Sequence, residues 1–223
     1  MAAVARTTTE PRRATVRRYG RAARWFHAGV YLTVLVLLVT GWWLLAGKEG
    51  DPSPLARLSG LPDTRLHTYA GWALAVVAGV GVAGLARGLP SFARETVRVR
   101  RADLAWWRRW PAAVWTGRFA RHDGRFDPGQ RVMNVALILT LAVLVASGAA
   151  MALLHGGPLF PPLVAAHRWS TYALTALVAG HVAVAAGILP GYRGVWRSMH
   201  LGGRLDPRVA RRLWPGWTNE HDE

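Results

Sequence analysis

Charged positions fall away from the chain in four stretches: residues 25–46, 68–85, 132–154 and 167–189. None contains Asp, Glu or Lys, and their only arginine, Arg168, stands at the mouth of the fourth. A helix needs about 20 mostly apolar residues (range ~17–25) to cross a bilayer. Each stretch meets that requirement, although the second is short and rich in glycine. A buried core helix explains one such run, but four in a chain of 223 residues predict four membrane-crossing helices.

The polar stretches between them predict an orientation. Residues 1–24, 86–131 and 190–223 carry 24 of the 28 basic side chains, and the two remaining connections carry four. Arginine and lysine are retained on the cytoplasmic side, so both termini and the long middle connection are expected there. Trp25, Trp42, Trp43, Trp72, Trp169 and Trp196 lie at or near the ends of the runs, as an interfacial aromatic belt predicts. The arginine pairs Arg12–Arg13 and Arg17–Arg18 precede an apolar run too long for a cleaved signal, and no small-residue cleavage site follows. The first helix is therefore expected to be retained. Residues 1–17 read as a disordered basic segment, 18–217 as one four-helix domain, and 218–223 as a tail. In the connection 86–131, Leu104, Trp106, Trp107, Trp110, Trp115 and Phe119 alternate with Arg101, Arg108, Arg109 and Arg118. That interleaving predicts a segment lying on the inner membrane surface, with rings in the acyl boundary and arginines on head groups.

Composition narrows the chemistry. The chain is 52% hydrophobic with a formal charge of +16. A basic soluble protein suggests nucleic acid, but here topology accounts for the arginines and no recognition motif appears. Membrane lipid is the expected surrounding partner. There is no cysteine, which excludes disulfides, thiolate zinc sites and an iron–sulfur cluster of the chain's own.

Ionisable residues inside spans point to function. His27 opens the first run and His67 the second, while His167 and His181 both belong to the fourth. Fourteen helical residues fall about 40° short of four full turns and rise about 21 Å. One helix thus presents His167 and His181 on one face at two depths. Topology supplies a partner at each: His27 with His181 on the inner side, His67 with His167 on the outer. Imidazole suits iron, and cofactors sit in bundle cores between facing helices. Two histidine pairs at two depths predict two stacked b haems, with all four histidines as axial iron ligands. Gly41 and Gly81 lie fourteen residues after His27 and His67, on the ligand face at the other storey, where a missing side chain lets a porphyrin approach. His155, His122, His200 and His221 have no such place; the last three are expected in solvated polar segments. The fold class is an all-α membrane protein, a four-helix bundle around two b haems.

The residues resemble the cytochrome b (gamma) subunit of membrane-bound respiratory formate dehydrogenases. The wider group includes the b-type cytochromes of nickel–iron hydrogenases and bacterial cytochrome b561. The resemblance spans roughly residues 18–217. It rests on Arg24-Trp25-Phe26-His27, on Arg65-Leu66-His67 with Gly71, on Phe126-Asp127-Pro128-Gly129-Gln130-Arg131-Val132-Met133-Asn134, on His167 with His181, and on the basic, tryptophan-containing tail Gly194–Trp217. The Gly-Gln entry to the third run and the tail favour the formate dehydrogenase branch.

That resemblance implies the same four haem ligands. It also implies an iron–sulfur subunit and a catalytic subunit as partners, in a bacterial plasma membrane. Electrons would enter at the outer haem and leave at the inner one to a quinone, menaquinone or ubiquinone. The quinone would lie beside His181 and the residues Asp127, Gly129 and Gln130. The family commonly has asparagine where this chain has Asp127, which reads alternatively as a helix N-cap before Pro128. Arg24 and Arg168, at span mouths, are candidate partners for haem propionates. The alternatives are a free-standing b561-type quinone oxidoreductase and the cytochrome of a nickel–iron hydrogenase. Nothing in the chain reads as a site for oxidising formate or another substrate.

Overall fold

The computed structural model describes residues 15–47 and 51–219. Most of the expected disordered N-terminal segment, His221 and the last four residues of the tail lie outside them. Four long helices contain the apolar runs: α1 (Arg21–Leu45), α3 (Asp63–Gly84), α6 (Pro128–Leu154) and α7 (Phe160–Ala185). Three of them, α1, α3 and α6, are by themselves long and apolar enough to cross a membrane. The fourth qualifies together with the segment Pro190–His200, from which it is bent by 62°. Their outward faces carry large exposed apolar side chains such as Val80, Leu139, Leu153 and Trp169, the surface a lipid environment requires. The chain is an all-α membrane protein, with one two-residue strand pair among the described residues.

The helices start and stop where their sequences dictate. The short α2 (Pro54–Ser59) begins at Ser53, whose hydroxyl accepts from the Ala56 amide at 3.1 Å, and closes at Gly60 with φ +70°. The same Ser53, fully buried, donates through its backbone to Asp63 at 2.9 Å and through its hydroxyl to the same carboxylate. That clamps α2 onto the first turn of α3. Asp127 caps α6 and accepts from the Gln130 amide at 2.8 Å, with Pro128 in the first turn. Here the N-cap reading of Asp127 is what the structure shows.

Packing pairs α1 with α3 and α6 with α7, and the two pairs join along α3–α6 and α1–α7. Val34, Leu74 and Leu174 meet midway along the bundle, surrounded by Val30, Leu37, Leu141 and Val178. This leaves an apolar layer between its two ends.

The arginine-rich end carries a folded cap. It contains α4 (Leu89–Thr96), α5 (Arg101–Thr116), α8 (Arg197–His200), α9 (Pro207–Leu213) and α10 (Pro215–Asn219). Strand β1 (Val16–Arg17) pairs antiparallel with β2 (Arg204–Leu205), so residues 15–17 are ordered where a disordered segment was expected. Arg18 is buried between Trp214 and Trp217, its guanidinium 4.1 and 4.4 Å from their ring centres. Burial pulls its pKa below the usual guanidinium value. Arg131, 3% exposed, donates to the carbonyls of Phe126 (2.9 Å), Arg98 (3.0 Å) and Asp123 (2.6 Å) and pairs with Asp103 at 3.1 Å.

The cap corrects the expectation for the middle connection at Trp106, Trp110 and Phe119. Trp106 is 1% exposed and stacks on Phe119; Trp110 donates to the Tyr192 hydroxyl at 3.0 Å. These rings form the cap's interior rather than lying in an acyl boundary. Helical periodicity separates them: Trp106, Trp110 and Ala113 share the buried face of α5, while Leu104, Trp107 and Trp115 share the exposed one. His122 is also not solvated. It is buried, and its Nε2 donates to the Leu213 carbonyl at 2.7 Å.

Candidate functional site: two histidine pairs

The four span histidines meet in two pairs. His27 on α1 faces His181 on α7 with ring centres 6.1 Å apart and planes tilted by 47°. His67 on α3 faces His167 on α7, also at 6.1 Å, with planes at 79°. Two imidazoles bound on opposite sides of one metal, through nitrogens at about 2 Å, hold their ring centres roughly 6 Å apart. Both pairs have that separation. They stand at opposite ends of the apolar layer.

The pair remote from the cap is held by hydroxyls from the neighbouring helices. Thr40 Oγ1 lies 2.8 Å from His67 Nδ1, and its own proton goes to the Val36 carbonyl at 2.8 Å. Ser147 Oγ lies 2.9 Å from His167 Nδ1 and donates to the Val143 carbonyl at 2.6 Å. A hydroxyl whose proton is committed to a carbonyl can only accept from the imidazole. In that arrangement each ring would hold its proton on Nδ1 and leave Nε2 free to bind a metal. Thr40 is fully buried and Ser147 is 4% exposed.

Each hydroxyl is followed by a glycine that lets the ring come close. A Cβ on Gly41 would stand 3.2 Å from His67 Cε1, and one on Gly148 would stand 3.3 Å from His167 Cε1. Thr40, Ser147 and Gly148 were not singled out in the sequence. The signal was present as a hydroxyl–glycine dipeptide inside two apolar runs, Thr40-Gly41 and Ser147-Gly148.

The pair near the cap is built differently. His27 Nδ1 is buried without a hydrogen-bond partner. Around His27 stand Tyr31, with ring centres 5.6 Å apart, and His200 on α8, at 6.1 Å. His200 is exposed, but its ring reaches the pair rather than standing free in solvent as expected. Gly81 faces the Phe26 ring, which a Cβ there would overlap. His155 ends α6 in the left-handed region with φ +54° and bonds only locally.

Of the other sequence-predicted residues, Arg24 has a buried Nε without a partner, one helical turn before His27. Arg168 is exposed beside His167. Asp127 is 5% exposed, and burial pushes its carboxyl above the usual range against the opposing Gln130 amide and nearby positive groups. Gly129 lies under Trp106, where a Cβ would come within 2.8 Å of the indole. Gln130 donates to the Tyr19 hydroxyl at 3.2 Å, while its Oε1 is buried without a partner. Asn134, one turn further along α6, has an equally unpartnered buried Nδ2.

The donor set suits iron in a flat macrocycle: paired neutral imidazoles, no thiolate and no carboxylate within the spans. Among the described residues, no group of three or more His, Cys, Asp or Glu side chains could hold a bare metal ion. A family model described as prokaryotic cytochrome b561 matches residues 18–202. No curated protein matches the chain at a significant level.

Proposed function

The chain belongs to the prokaryotic cytochrome b561 family, and on that premise we propose that it is a di-haem electron carrier of a respiratory complex. The family binds haem b and transfers electrons within membranes. The finer reading is that electrons enter from an iron–sulfur subunit on the outer face. They leave to a quinone, menaquinone or ubiquinone, near the cytoplasmic face of a bacterial plasma membrane. The observation that supports two haems is the repeated 6.1 Å spacing of His27/His181 and His67/His167 at the two ends of one bundle.

Bound haem would supply reversible one-electron iron chemistry. The chain supplies the rest. The imidazoles of His27, His181, His67 and His167 would hold the iron. Val34, Leu74 and Leu174 keep water out of the layer between the pairs. Arg24 and Arg168 stand at opposite mouths of the bundle, where carboxylates of a bound macrocycle would need partners. At the arginine-rich end, the unpaired Gln130 Oε1 and the buried Asp127 carboxyl offer polar contacts for a quinone head. Moving one elementary charge across the membrane is worth about 2.3 kcal/mol per 100 mV, so an inward electron path coupled to proton uptake from the cytoplasm conserves energy.

The catalytic partner we propose is a formate dehydrogenase. Support comes from the Gly129-Gln130 entry to α6 and from the tail through Trp217, both of which build the cap. The purified chain should show a b-type reduced-minus-oxidised spectrum with two haems per polypeptide. His67→Ala and His27→Ala should each remove one of them. A chain without a b-haem signal, or with one haem that survives both substitutions, overturns the reading. Co-purification with an iron–sulfur protein distinguishes a complex subunit from a free-standing oxidoreductase.

A further inference from the structure

We infer that Thr40-Gly41 and Ser147-Gly148 are matched notches that position the His67/His167 pair and set its donor strength apart from that of His27/His181. The inference rests on the di-haem reading and concerns how one of its two sites is tuned.

The two notches share their construction. In each, a buried hydroxyl on one helix stands within hydrogen-bond distance of both the carbonyl four residues earlier, which can only accept its proton, and Nδ1 of a histidine on the paired helix, an arrangement suited to accepting Nδ1–H. In each, the next residue is a glycine whose missing Cβ leaves just enough room for the ring edge, at 3.2 and 3.3 Å. The notches come from different helix pairs, α1–α3 and α6–α7, yet serve the two members of one pair. His27 has no counterpart: its Nδ1 is buried and unpartnered.

An accepted Nδ1–H bond fixes ring orientation and tautomer and makes Nε2 a stronger donor. A stronger donor stabilises oxidised iron more than reduced iron. The His67/His167 site is therefore the lower-potential site, suited to receive electrons that pass on to His27/His181. Thr40 and Ser147 are positioning residues, since they act through the histidines.

Thr40→Val and Ser147→Ala remove the acceptors while leaving the apolar shape nearly intact. Each should weaken haem retention at the His67/His167 site by about 10–100-fold. Each should also raise that site's midpoint potential in a potentiometric titration and leave the second haem's midpoint in place. Thr40→Ser and Ser147→Thr keep an acceptor and should restore both properties. Haem stoichiometry and low-temperature electron paramagnetic resonance of the two ferric centres provide readouts independent of turnover. If Thr40→Val does not accumulate in membranes, Ser147→Ala reads the same pair from its other ligand. Unchanged haem content and unchanged midpoints in either variant, or a shift confined to the His27/His181 haem, overturn the inference. A wild-type chain without two haems overturns the functional reading instead.

Discussion

Replacing Arg131 by methionine should destabilise the cap by about 3–5 kcal/mol, the usual cost of breaking a buried ion pair from one side. Arg131 is 3% exposed and its guanidinium serves Asp103 together with three backbone carbonyls, one at Arg98 and two in the loop before α6. Removing it leaves a nearly buried carboxylate uncompensated, and each orphaned carbonyl adds a further penalty of about 1–3 kcal/mol where water cannot enter. Local relaxation and hydration should recover part of that, so the lower figure is the expected one. For a chain of this length, 1 kcal/mol corresponds to about 2–4 °C in Tm, which gives a fall of roughly 6–12 °C. The assay is thermal unfolding of the detergent-purified protein, followed by tryptophan fluorescence. Trp106, Trp214 and Trp217 all lie in the cap, so their part of the signal follows that region. Because the pair is buried, raising salt to 1 M should not abolish the difference. Asp103→Asn in the same background should cost much less than it does alone, since its partner is already gone. A Tm fall under about 3 °C, or strictly additive effects of the two substitutions, would show that the pair does not hold the cap together.

Two further outcomes follow from the same geometry. Burial raises the Asp127 carboxyl in the folded protein, so the folded state holds a proton that the unfolded chain has released above about pH 4. Stability should therefore fall as pH rises from there through the raised folded value. Asp127→Asn keeps the N-cap, and should flatten that dependence; Tm measured from pH 4 to 8 checks it, and equal slopes in both proteins would count against it. Gly81→Leu would drive a side chain into the Phe26 ring beside His27. Loss of the His27/His181 haem with retention of the other is the expected absorption spectrum, and full retention of both would show that the ring yields freely.

Much of the architecture is legible along the chain because the bilayer is a harsh and uniform solvent. Runs without charge announce helices, and the fourteen-residue interval between His167 and His181 puts two ligands on one helix face whatever the packing. The pairing partners could be named from depth alone, since His27 and His67 each open a span and the two spans run in opposite directions. The cap was not legible in the same way. Trp106, His122 and Arg18 sit among arginines and look like surface residues in the sequence. The return of residues 204–219 buries Arg18 and His122, and Trp106 is covered by Phe119 and the entry to α6 at Gly129. The strand pair joining residues 16–17 to 204–205 carries no local signature at two residues' length.

The helices, their apolar surfaces and the two depths at which histidines occur follow from composition and a 3.6-residue period alone. Tertiary structure decided which Nδ1 finds an acceptor and which does not. Thr40 and Ser147 are ordinary span hydroxyls until the close α1–α3 and α6–α7 packing brings His67 and His167 within 2.8 and 2.9 Å. Hydrogen bonding falls off over a few tenths of an ångström, a precision that helical periodicity does not carry and that only the crossing of packed helices supplies.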